Sequence, residues 1–64
     1  MNDQEKVAEL RAFEDASIAY TVANNRGVSV ERCKRAYHRA AARMLEVLLG
    51  RKPTEDELKA LTER

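Results

Sequence analysis

Four arginines, Arg32, Arg35, Arg39 and Arg43, recur three and four residues apart. At about 100° per residue, that spacing sets them along one side of a helix. A row of guanidinium groups is chemistry for anions, because each planar fork matches a carboxylate or a phosphate. Arg51 and Lys52 extend the row in sequence, whereas Glu46 interrupts it one turn after Arg43. Three readings follow: a solvated face partly paired with acidic residues of an earlier helix, a surface for an acidic protein, or a track for phosphates. No aromatic residue is interleaved with the row to stack on bases, which favours protein over nucleic acid. Four like charges one turn apart also repel each other by a few tenths of a kcal/mol per adjacent pair.

Other reactive side chains are few. There is one histidine, His38, one cysteine, Cys33, and no glycine-rich loop. No cysteine or carboxylate stands at ligand spacing to His38, so it reads as a solvated side chain. Cys33 falls among apolar positions and reads as a small buried thiol. The chain is therefore expected to be no enzyme and to hold no metal or cofactor. A lone cysteine closes no internal disulfide, which fits a reducing, cytoplasmic setting. The polar, acidic residues 1–7 do not resemble a secretory signal, and no apolar run of about 18 residues calls for a membrane.

The element that carries the arginines is the stretch Ser29 to Leu49. Val30, Cys33, Tyr37, Ala40, Met44 and Val47 alternate three and four apart, a heptad seam roughly opposite the arginines. Before it, Asp3 to about Asn24 reads as a first helix, free of breakers, with Asp3 and Glu5 suited to the positive end of its dipole. Ala8, Ala12, Ala16, Ala19 and Ala23 form a strip flanked by Leu10, Phe13 and Tyr20, the expected contact with the second helix. Ile18 and Val22 lie on the other side, near Val7, and need a cover: the C-terminal helix, a second subunit or a foreign partner. Glu9 sits among the apolar positions.

Residues 24–29 read as a turn. Its Asn and Gly residues tolerate the left-handed conformation that ends a helix, Ser29 suits the N-cap of the second, and Val28 is placed to pack on Cys33 as a hydrophobic staple. Gly50 stops the second helix, with Pro53 just beyond. Thr54 and Glu57 then form a capping box for a short third helix, about 55–63, whose Leu58 and Leu61 dock on the hairpin. No strand alternation or internal repeat occurs.

The 64 residues make one domain with a lean core, since ten of its hydrophobic residues are alanine. Small domains with lean cores gain stability by oligomerising, so a homodimer is expected. Charge is uneven: residues 1–25 hold two Lys/Arg against five Asp/Glu, and residues 26–52 hold eight against two. The basic middle suits an acidic partner.

A short helical hairpin that dimerises resembles, in plan alone, the Rop-type plasmid copy-number regulators. Leu49 to Leu58, LGRKPTEDEL, is similar to a helix start in bacterial sigma factors, though a helix stop followed by a capping box explains it equally well. The expected fold is all-α: an antiparallel two-helix hairpin plus a short C-terminal helix, dimerising into a helical bundle. The expected function is that of a small regulator or inhibitor of phage or plasmid type. It would dock on another protein through Arg32, Arg35, Arg39 and Arg43, or through Ile18 and Val22. The alternatives are a nucleic-acid-binding hairpin and a purely structural oligomerising subunit.

Overall fold

The computed structural model describes residues 3–63. It is all-α, with α1 at Asp3–Arg26, α2 at Val30–Leu49 and α3 at Glu55–Thr62. The first two form the hairpin, and α3 packs on α2 alone. The molecule measures 37 × 25 × 16 Å, so it is flat, with α2 as the middle element. No described helix is long and apolar enough to cross a membrane.

Flatness keeps the core small. Among the described residues Ala23, Ala41 and Met44 are the buried apolar ones, and no large side chain is fully buried. Every residue of the α2 seam is half-buried or buried. At its centre Tyr37 stacks on Phe13, with ring centroids 5.3 Å apart, and meets Tyr20 at 5.4 Å. Met44 continues the same seam two turns further on.

The contact face of α1 is rotated part of a turn from the alanine strip, with Ala16 and Ala23 kept inward. Ala8, Ala12 and Ala19 are exposed, and so is Leu10. The inward residues are Glu9, Phe13, Ala16, Tyr20 and Ala23, spaced four, three, four and three apart. Bulk explains the rotation. An aromatic ring removes about 150–250 Å² from water, far more than an alanine methyl. The helix turns until Phe13 and Tyr20 face Tyr37, and the surplus alanines are left outside.

Helix α1 also runs two residues past Asn24, to Arg26. Gly27 stops it at φ 68°, with its N–H and that of Val28 both donating to the Ala23 carbonyl. The expected cap on α2 does not form. Ser29 is left-handed, φ 58° and ψ 29°, and its side chain makes no capping hydrogen bond. A serine caps from an extended backbone, where its hydroxyl faces the first free N–H groups. Here the reversal is made by two left-handed residues close together, and only the Ser29 carbonyl is used, accepting from Cys33 N–H at 3.0 Å. The staple is absent as well, because Val28 is 64% exposed.

The second connection follows the sequence closely. Gly50, at φ 72°, donates to the Glu46 carbonyl and ends α2. Thr54 is extended; its hydroxyl accepts from Glu57 N–H at 3.2 Å, while its own N–H donates to the Glu57 carboxylate at 2.9 Å. Leu58 and Leu61 are half-buried.

Candidate functional site

Arg32, Arg35, Arg39 and Arg43 are all exposed along α2. One of them reaches α1: Arg43 donates to the Glu9 carboxylate at 3.4 Å. Glu9 retains only 19% of its side-chain exposure, against 69% for Arg43. The carboxylate is thus held at the hairpin seam, and the guanidinium leans in from outside. Arg32, Arg35 and Arg39 make no salt bridge to a described carboxylate. The acidic residues of α1 therefore neutralise one end of the row and leave the rest unmatched. Arg39 and Arg43 also rim a shallow cleft floored by Ala12, Ala36 and Ala40.

The row does not continue into Arg51. That side chain is clamped on Glu57 by two parallel bonds, 2.8 Å and 2.9 Å. The Arg51 hydrogen bond, followed by the backbone N–H of Thr54, holds the Glu57 carboxyl down at about 2, well below its usual value of 4.5. Arg51 is raised in turn by the same pair. Arg51 thus serves the start of α3 and is not free for a ligand.

Ile18 and Val22 lie on the face of α1 turned away from α2, 64% and 41% exposed, with Val7 at 48%. The C-terminal helix is not their cover, because α3 packs on α2 and not on α1. The structure does not bring them together with the arginines into one site.

His38 is half-buried rather than solvated. Its ring meets Tyr37 edge-on at 5.8 Å, and it shares a shallow cleft with Leu58, Lys59 and Thr62 of α3. One turn further along α2, Ala41 is 0% exposed. Cys33 is free and half-buried. Among the described residues no group of three His, Cys, Asp or Glu could hold a metal ion, and no catalytic cluster is assembled.

Two site features escape the sequence reading. Glu9 is the partner of Arg43, legible only once positions 9, 13, 16, 20 and 23 are recognised as the inward stripe. Ala41 is 0% exposed, the least exposed position of α2, yet lies off the heptad seam. Comparison with protein-family models, curated proteins and solved structures returns no match.

Proposed function

We propose that this chain is a small helical regulator or inhibitor that docks on an acidic protein surface through the arginine face of α2. The observation that carries this reading is the imbalance on that face. Four guanidinium groups are exposed in a row, and α1 supplies a carboxylate to Arg43 alone. Folding gains nothing from crowding the other three, and an acidic partner would offset their repulsion. Protein is favoured over nucleic acid because Phe13, Tyr20 and Tyr37 are engaged with one another inside the hairpin. None is left beside the arginines to stack on bases.

The test is a variant carrying both Arg35→Glu and Arg39→Glu, used beside the unaltered chain to capture partners from lysate of the source cells, with and without nuclease. The expected result is a protein captured by the unaltered chain, insensitive to nuclease and absent with the variant. Circular dichroism should show unchanged helicity and a melting temperature within a degree or two. Equal capture by both chains would reduce the arginine row to a solvated face. Capture abolished by nuclease, with affinity falling steeply with salt, would instead establish phosphate binding.

A further inference from the structure

The outer face of α1 carries a second heptad that the fold does not use. Gln4, Ala8, Arg11, Asp15, Ile18 and Val22 alternate four and three apart, and all six are exposed. They lie roughly opposite the inward stripe of Phe13, Ala16, Tyr20 and Ala23. The face is apolar towards its C-terminal end, small at Ala8 and charged in the middle. Among the described residues, neither Arg11 nor Asp15 has an ion-pair partner in its own chain. Val7, Ala8, Arg11, Ala12 and Asp15 also line a shallow depression along this face.

We propose that a second copy of this chain covers this face, α1 against α1, antiparallel about a two-fold axis between Arg11 and Asp15. In antiparallel coiled coils the two kinds of core position oppose each other, which leaves few registers to consider. In one of them, Arg11 faces Asp15 of the second copy and Asp15 faces its Arg11. Ala8 then lies opposite Ile18, a small residue against a branched one, and Gln4 opposite Val22. A shift of one heptad in either direction loses this match. One shift sets Arg11 against Val22 and Asp15 against Ile18; the other leaves Ile18 and Val22 without partners. A single register therefore pairs charge with opposite charge, and it is self-complementary, as a two-fold interface requires.

Surface area points the same way. A folded monomer of 7.3 kDa is expected to expose about 4,200 Å². This chain exposes 4960 Å². The proposal is independent of the arginine row, which belongs to α2.

A charge-swap experiment tests both the occupant and the register. Sedimentation of the unaltered chain at micromolar concentrations should give about twice the 7.3 kDa chain mass. Arg11→Asp alone sets acid against acid at both crossings, and Asp15→Arg alone sets base against base. Each should dimerise at least about tenfold more weakly, with helicity by circular dichroism unchanged. Mixing the two variants in equal amounts should restore the dimer, because every crossing in the mixed pair joins opposite charges. A monomeric unaltered chain at high concentration overturns the proposal. So do single variants that dimerise as tightly as the parent, which would place the interface elsewhere, and a mixture that fails to recover the dimer.

Discussion

The two flanks of α2 are held by different physics. On the α1 side the contact is long and depends on packing: Phe13 and Tyr20 against Tyr37, with Met44 two turns further along the seam. The connection on that side is poorly wired, with a left-handed serine, no side-chain cap and an exposed Val28. On the α3 side the reverse holds. The helix is eight residues long, too short to persist alone, yet its start carries a complete capping box of Thr54 and Glu57, with Arg51 clamped on Glu57. Where a helix has enough apolar surface, packing carries it and its turn can be strained. Where it has little, local hydrogen bonds must set its position.

The largest expected effect breaks the packed flank. Met44 is 6% exposed, and Met44→Ala should cost about 2–5 kcal/mol, read as a lower denaturation midpoint. An unchanged midpoint would mean that the α2 seam does not face inward. A smaller effect, opposite in sign, sharpens the comparison at the turn. A left-handed conformation costs a residue with a Cβ about 1–2 kcal/mol, part of which glycine returns as lost unfolded-state entropy. Ser29→Gly should therefore stabilise the chain by about 0.5–1 kcal/mol, measured by chemical denaturation. Destabilisation would show that the serine hydroxyl has a role in the turn.

The smallest effect concerns the capped flank. Glu57 has a depressed carboxyl, so its contribution is complete above the ordinary value of 4.5 and is lost as pH falls through about 2. The pair is exposed and screened, so the change is modest. The difference in melting temperature between the parent and Glu57→Gln should be constant above pH 5 and shrink steadily below it. A difference independent of pH would show that the ionised carboxylate contributes nothing beyond the amide.

Three helices and their order followed from breakers and caps that act locally, Gly50, Pro53 and the Thr54–Glu57 box, whereas α1 runs past Asn24 to Arg26 and Ser29 does not cap α2. The α2 seam was equally legible, because its apolar residues keep one period and its arginines occupy the far side. In α1 two stripes overlap, an alanine strip and the stripe through Phe13 and Tyr20. Period alone cannot choose between them. Only packing against Tyr37 decides, because the aromatic rings have more area to bury than the alanines they displace. The same choice holds the half-buried Glu9 carboxylate at the seam within reach of Arg43, and it turns Ile18 and Val22 outward. The conformation of Ser29 and the burial of His38 and Ala41 were likewise settled in three dimensions. No spacing along the chain encodes any of the three.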